Sequence, residues 1–578
     1  MPDLFDDRQK ERGYLALLLA VGLIRFLNLG FLDLQAWDEA LYAVRAEGIL
    51  MFGGIFDQTP FSIGGLYSSL HPPLYVWLTS LSFFLFGVTE FAARFFSAFL
   101  GALTLFVIYR IGKELQHTKL GFVAAMFYGL NPFVTFQARQ GQFDTSLVFF
   151  LAISILFYLK LESLGKTRYA VYAGLAVGAA LMTKLFVGLG IPLTFFLWKI
   201  STQGGEQKAT WRPFLLSLGV TLLIAVPWHF YMTIAQGFGN PLFFLDASAV
   251  FERSLYGIEG NIKPLEAFYF VNQLFVLFPL GIIWFAFGLY KVFTEKDRRW
   301  MLLAMWFIVF FIVFTLMRTK LSVYVLPMLV PASLIAARAI LEFASGAYSN
   351  KLAALFLGGT GVSLLWASNQ EWRNLAKSIP SELLRAQLPH SSAVLTFLPF
   401  LMMLCCILLL AYALYKNRTF SQLRNSILTL LIVPSFLLSF YNIVGYDQFQ
   451  FNDGARDLAI FVTERQPSVI VVAGFDRNPQ LTFYLEGADI GWRDDIEIRR
   501  VKPPTIRSQF REWLSEQTSN LPGDALVIAE KDKFIRYEWV TSEEVNPPDY
   551  SLVYDSRRYA VFQRLHSTNV AVNSRRLP

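Results

Sequence analysis

A chain of 578 residues that is 55% hydrophobic but only 16% charged falls well short of the roughly one-quarter charged content of soluble domains, which argues against an ordinary soluble protein. Its 57 Phe and 13 Trp strengthen that reading. The net charge of +7 does not point to nucleic acid, because Lys and Arg gather in the cytoplasmic loops of multispanning proteins and make the sum basic by themselves.

Taken in order, the charged lead "MPDLFDDRQKERG" precedes an apolar run from Tyr14 to Phe31 with no small-x-small cleavage site after it. This reads as an uncleaved signal anchor with a cytoplasmic N-terminus, Arg8, Lys10 and Arg12 favouring that side. Roughly twenty apolar residues span the hydrocarbon, and runs of that kind give about thirteen crossings. "HPPLYVWLTSLSFFLFG" is too short to cross comfortably. Letting Pro73–Phe86 cross would put the basic "RIGKELQHTK" outside, so it is expected to lie in or near the outer interface. Further spans are expected at Phe91–Tyr109, Leu120–Phe136, Thr145–Leu159, Tyr169–Met182, Leu185–Trp198, Pro213–Tyr231, Ala267–Tyr290, Trp300–Leu316, Leu321–Ala337, Leu352–Trp366, Val394–Tyr415 and Ser426–Tyr441. This count places the densest basic clusters on one side. Cys405 and Cys406 then sit inside a span as small apolar residues.

From about Gly445 the chain changes character. "PSVIVVAGF", "QLTFYLEG", "DALVIAEK", "YSLVYDS" and "RYAVFQRL" read as strands, and "TIRSQFREWLSEQ" has helical spacing, as in a small α/β domain. The expected organisation is therefore a polytopic α-helical membrane domain over residues 1–444, with external loops at 33–90, 137–144, 232–266 and 367–393, followed by an extracytoplasmic α/β domain over 445–578. No dinucleotide-binding, P-loop or nucleophile-elbow motif occurs in it.

Ionisable residues in membrane proteins are functional candidates, and here they collect at the outer ends of spans: Asp38, Glu39, His71, Arg139, Asp144, Lys184, Glu252, Arg253, Arg318 and Lys320. Cations can hold a lipid phosphate. A carboxylate can take a proton from an attacking hydroxyl or amine, and cations that stabilise a departing phosphate speed its departure. That combination suits glycosyl transfer from a lipid-phosphate sugar, and it explains why no nucleotide-binding loop is needed.

The series "WDEALYAVRAEGIL", "HPPLYVWL", "RQGQFDTSLVFF", "LMTKLFVG" and "TKLSVYVLP", ahead of an external α/β tail, resembles the GT-C superfamily, in its ArnT-like and protein O-mannosyltransferase group, over essentially the whole chain. The resemblance implies a polyprenyl-phosphate sugar donor and inversion at the anomeric carbon. It implies that Asp38 is the catalytic base with Glu39 beside it and Tyr42 one turn on, and that Asp144 is a second acid. Lys184 and Arg253 would bind the lipid phosphate, with Lys320 and Tyr324 near the donor; Arg139, as a cation at an outer span end, is added to the donor-site candidates with His71 and Tyr42. Where the family reads K-P-P-L this chain has His71-Pro72-Pro73-Leu74; a neutral imidazole donates one hydrogen bond or ligates a divalent metal, and no other cofactor is implied.

Plainer readings stand beside these. Asp38, Glu39 and Asp144 sit where acids start helices, and His229 reads as a satisfied polar group within a span. The external tail is expected to bind acceptor or stabilise the site. The acceptor is left open between lipid A, a cell-envelope glycan, another polyprenyl-linked glycan and a protein, the last being the activity of a protein O-mannosyltransferase. The rival from another class is a transporter or lipid flippase, which would bind near the midplane between repeats; no repeat is found. The expected location is the inner or plasma membrane.

Overall fold

The computed structural model describes residues 2–35, 38–61, 71–201, 211–236, 268–349, 454–473, 478–487, 497–501, 520–530, 550–556 and 558–564, with isolated positions between 352 and 367 and at 512 and 516. Its larger part is an apolar helical bundle, the architecture of a multispanning membrane protein. Five described helices are long and apolar enough to cross a membrane: Glu90–Leu115, Phe143–Leu164, Arg212–Gln236, Arg298–Leu316 and the stretch Ser322–Ala344. The first helix runs from Pro2 to Leu23 and tightens into a 3-10 turn at Ile24–Phe26.

Helix starts follow local chemistry. Thr89 caps Glu90–Leu115 by accepting from Ala92 N, and Asp297 caps Arg298–Leu316, as short polar side chains do. Glu90–Leu115 and Thr118–Gly129 pack backbone to backbone: a Cβ on Gly121 would lie 2.1 Å from the Tyr109 carbonyl. Small residues allow such close approach between helices in lipid.

Three expected spans are interrupted. The run 120–136 divides into Thr118–Gly129 and Pro132–Ala138, because Asn131 caps a new helix with Pro132 at its first position. The run 185–198 divides at Leu189 into Leu185–Gly188 and Gly190–Ser201. The run 267–290 bends by 118° between Tyr269–Leu277 and Ile282–Glu295, where Pro279 withholds a backbone donor. "HPPLYVWL" forms the short helix Leu74–Phe86. The expected spans 394–415 and 426–441, the cysteine pair and Arg253 lie outside the described residues.

The C-terminal unit is a five-stranded sheet in the order β2-β1-β3-β5-β4: β1 Val469–Ala473, β2 Glu497–Val501, β3 Leu526–Glu530, β4 Tyr550–Asp555 and β5 Tyr559–Arg564. β1 is parallel to β2 and β3, and the β4–β5 hairpin joins antiparallel through β5. β1 and β3 are buried throughout, as central strands covered on both faces are. Four of the expected strand segments are present. The fifth, "QLTFYLEG", is helical instead: Pro479–Leu481 runs into a π-helical turn at Thr482–Gly487. Asn478 accepts from Gln480 N and Leu481 N with Pro479 at the first helical position, a helix-start signal that overrides the strand-like composition. The expected helix at 505–517 falls almost wholly outside the described residues.

Candidate functional site

The loop after the first helix re-enters as a helix, Asp38–Phe52, buried along much of its length. Glu39 is the residue that fixes it. Its carboxylate is 1% exposed and receives Arg94 Nε at 2.9 Å, Arg94 Nη2 at 2.8 Å and Gln35 N at 2.8 Å. It also accepts from Gly141 N. A Cβ at position 141 would meet the Ala93 carbonyl at 3.2 Å and Glu39 Oε1 at 3.4 Å, so glycine lets this backbone come close. Arg94 spends its remaining donors on the carbonyls of Leu29 (3.0 Å), Leu32 (2.8 Å) and Asp33 (2.8 Å). Burial pushes the Glu39 carboxyl up, but Arg94 and the backbone N–H groups of Gln35 and Gly141 outweigh it and hold it below its ordinary value. Two chain segments far apart in sequence, 29–39 and the turn at 141, are thus tied to one buried ion pair.

Three residues past that turn, Asp144 lies in the first turn of helix Phe143–Leu164. Its carboxylate meets Lys184 Nζ at 3.0 Å, both side chains half-buried. The ammonium sits 4.6 Å from the centre of the Phe143 ring and 5.4 Å from that of Tyr324, faces that attract a cation. An ammonium has three donors, and among the described residues only Asp144 accepts one. The aromatic wall continues. Phe143 packs edge-on to Tyr42 at 5.2 Å and against His71 at 5.4 Å, and Tyr42 packs against Tyr75 at 5.7 Å. Leu74 N donates to Met182 O at 3.1 Å, seating the His71 segment beside the Lys184 turn.

Most of the expected residues therefore converge. Asp38 is exposed at the start of its helix. Tyr42, one turn on, shares its face and faces Phe143 and His71. Asp144, Lys184, His71 and Tyr324 complete the cluster. Three other charges of the expected set are engaged by protein groups. Glu39 is the buried counterion just described, so it has no oxygen to offer a reacting group. Lys320, 2% exposed, donates to the carbonyls of Phe314 (3.0 Å), Thr315 (2.5 Å) and Met317, where a cation is favoured at a helix C-terminus. Arg139 donates to the carbonyls of Arg25, at 3.1 Å, and Leu27, pinning the 3-10 turn that ends the first helix. No group of three or more His, Cys, Asp or Glu suited to a metal occurs among the described residues.

Sequence reasoning passed over Arg94, Phe143 and Asp33. Arg94 had a signal: it is a lone cation within the apolar run "FAARFFSAFL", the kind of residue that needs an acid partner. Phe143 had none, since its position under Lys184 depends on tertiary packing.

The family model for dolichyl-phosphate-mannose-protein mannosyltransferase matches residues 70–231. An undecaprenyl phosphate-alpha-4-amino-4-deoxy-L-arabinose arabinosyl transferase of Pseudomonas fluorescens is 25% identical over 57% of this chain and 60% of its own length. One from Serratia proteamaculans is 26% identical over 56% of this chain and 59% of its own. The chain thus spans about 60% of the length of these curated relatives. In fold it is similar to ArnT from Cupriavidus metallidurans bound to undecaprenyl phosphate, with a TM-score of 0.67 at 20% identity, covering 96% of this chain and 98% of that one.

Proposed function

We propose that this ArnT-like chain with the GT-C fold is a membrane glycosyltransferase that moves a sugar from a polyprenyl phosphate to an acceptor on the extracytoplasmic side. The observation that carries the reading is Lys184: a half-buried ammonium braced by Asp144 and two aromatic rings, with, among the described residues, donors left over for an anion. A lipid phosphate supplies such an anion at the membrane surface. The relatives' arabinosyl-transferase names and the undecaprenyl phosphate bound to the structural neighbour support an undecaprenyl-type donor.

In this reading an acceptor oxygen or nitrogen attacks the anomeric carbon. The bond from that carbon to the phosphate oxygen breaks with its electrons passing to phosphate, and one displacement inverts the centre. Lys184, with Arg253, stabilises the phosphate as it leaves. Asp38 takes the proton of a hydroxyl or amine acceptor, or orients an acceptor that is already ionised. Asp144 keeps Lys184 in place, Tyr42, Phe143, His71 and Tyr324 form the wall of the donor site, and Glu39 with Arg94 positions the loop. The acceptor class extends over lipid A, an envelope glycan and a protein. The proposed organisation is about thirteen spans over residues 1–444, a cytoplasmic N-terminus, and an extracytoplasmic domain over 445–578.

The test is transfer by purified protein in liposomes. Sugar should move from a polyprenyl-phosphate donor to an added acceptor, and glycan masses should differ between membranes of cells with and without the gene. Flux of the intact lipid with no transfer would instead indicate a transporter.

A further inference from the structure

The C-terminal unit is stitched to the segment that leads into Asp38. Leu34 is fully buried and both of its backbone groups bond to that unit: its N–H donates to Tyr484 Oη at 2.9 Å, and its carbonyl accepts from Gln480 Nε2 at 2.6 Å. Asp33 acts across more than four hundred positions. Helix Ala455–Arg465 begins at Gly454, which has no side chain to cap it, and the Asp33 carboxylate accepts from Ala455 N at 2.8 Å and Arg456 N at 3.3 Å. Arg456 then pairs with Glu90 at 2.6 Å, and Tyr484 donates to the same carboxylate at 2.8 Å.

The opposite side of this segment is held as firmly. Arg94 binds the carbonyls of Leu32 and Asp33, each at 2.8 Å. Residues 32–34 are therefore gripped from the bundle and from the sheet domain at once, and Asp38 lies four positions beyond Leu34. Apolar packing reinforces the join, since Leu34 and the helix from Asp38 share one core with Leu458, Phe483 and Tyr484. A group that must sit within a fraction of an ångström of a reacting atom loses much of its effect when its support loosens.

We propose that the C-terminal unit is a positioning element of the active site, acting through Asp33, Tyr484 and Gln480 to fix the backbone that carries Asp38. This rests on the role given to Asp38 above. The alternative is a domain whose docking adds stability and nothing else.

The experiment uses the full chain in detergent, with Asp33→Ala, Asp33→Asn and Tyr484→Phe compared with wild type after each is shown to be monodisperse. Asn keeps an oxygen that caps a helix as well as Asp does, so it is the conservative rescue. Hydrogen exchange should rise about tenfold or more in peptides covering 33–44 for Asp33→Ala and Tyr484→Phe, with peptides covering 143–164 unchanged and Asp33→Asn no higher than wild type. In transfer assays the same two variants should lose about tenfold in kcat with the donor KM within about threefold, since misplacement of one group acts on the chemical step. Unchanged exchange at 33–44, or raised exchange with undiminished kcat, would overturn the proposal. If wild type transfers no sugar, the reading of function fails, and the exchange data still decide whether the domain fixes this segment.

Discussion

Lys184, in the break between helices Arg168–Leu181 and Leu185–Gly188, and Asp144, in the first turn of helix Phe143–Leu164, meet at 3.0 Å with the Phe143 ring beneath the ammonium. The arrangement holds a cation without consuming it, because a carboxylate and two ring faces fix its position while, among the described residues, two donors remain to be used. Lys184→Met keeps the length of the stem and removes the charge. It should weaken binding of undecaprenyl phosphate by about tenfold or more, the scale of one charge-assisted bond. Asp144→Asn should cost less, since it loosens the lysine but leaves it charged. Titration of each purified variant with the lipid phosphate is the check; equal affinity in wild type and Lys184→Met would remove the lysine from the donor site.

Asp38→Asn should behave differently. The side chain is exposed at a helix start, so the isostere preserves the fold and donor affinity while removing the proton acceptor. With a hydroxyl or amine acceptor, kcat should fall by about 10²–10⁴-fold. With a phosphate acceptor, already ionised, the loss should be smaller and confined to orientation. The size of the effect across acceptors thus reports acceptor chemistry, and full activity with every acceptor would show that Asp38 takes no part.

Much of the membrane domain was legible in the sequence because lipid demands long apolar runs, and the helices at 90–115, 143–164 and 298–316 follow them directly. The bend near Pro279 was not foreseen, since apolar composition alone runs straight through it. Within the site, Asp144 and Lys184 were legible as charges at span ends. Glu39 and Lys320 were recognised as exceptional charges too, but sequence cannot say whether such a charge faces a ligand or a protein partner. That depends on which carbonyls and which arginine the fold delivers, and here Arg94 and the end of helix 298–316 claim them. "QLTFYLEG" misled for a related reason: strand-forming residues were outweighed by a three-residue start signal at Asn478.

Glu39 should therefore be tested as scaffold. Breaking a buried ion pair by neutralising one partner strands the other charge and costs about 3–5 kcal/mol. Glu39→Gln and Arg94→Met should each lower the unfolding temperature markedly. The double variant should cost less than the sum of the two, because no buried charge is then left unpaired. Additive losses would mean that the two residues do not act as a pair.

Lys320→Met makes a parallel case at another helix end. The ammonium satisfies carbonyls of Phe314, Thr315 and Met317, so its removal should destabilise the chain by about 1–3 kcal/mol, with lipid-phosphate affinity within about twofold of wild type. Loss of affinity at undiminished stability would return Lys320 to the donor site, where the sequence had placed it.

The joint between domains should also respond to pH, and the sign follows from Asp33. Burial pushes its carboxyl up, and the backbone N–H groups of Arg456 and Ala455 and the charge of Arg456 only partly offset this while Glu90 adds to it, leaving a value of about 6 against an ordinary 3.8. Tyr484 and Tyr554 also face the group. A folded value above the unfolded one means that the native joint holds its proton longer. The Asp33 contribution is then fully present below about pH 4 and is lost as pH rises through about 6. Each unit of displacement corresponds to about 1.4 kcal/mol, so the whole effect is at most about 3 kcal/mol. Asp33→Asn is neutral throughout and isolates the term from other titrations. Its stability relative to wild type should rise between pH 4 and pH 6 and level off above, as read by thermal unfolding across that range. A wild type that instead gains on Asp33→Asn as pH rises would mean that Arg456 and the helix start favour the carboxylate more than burial disfavours it, reversing the electrostatic account of the joint.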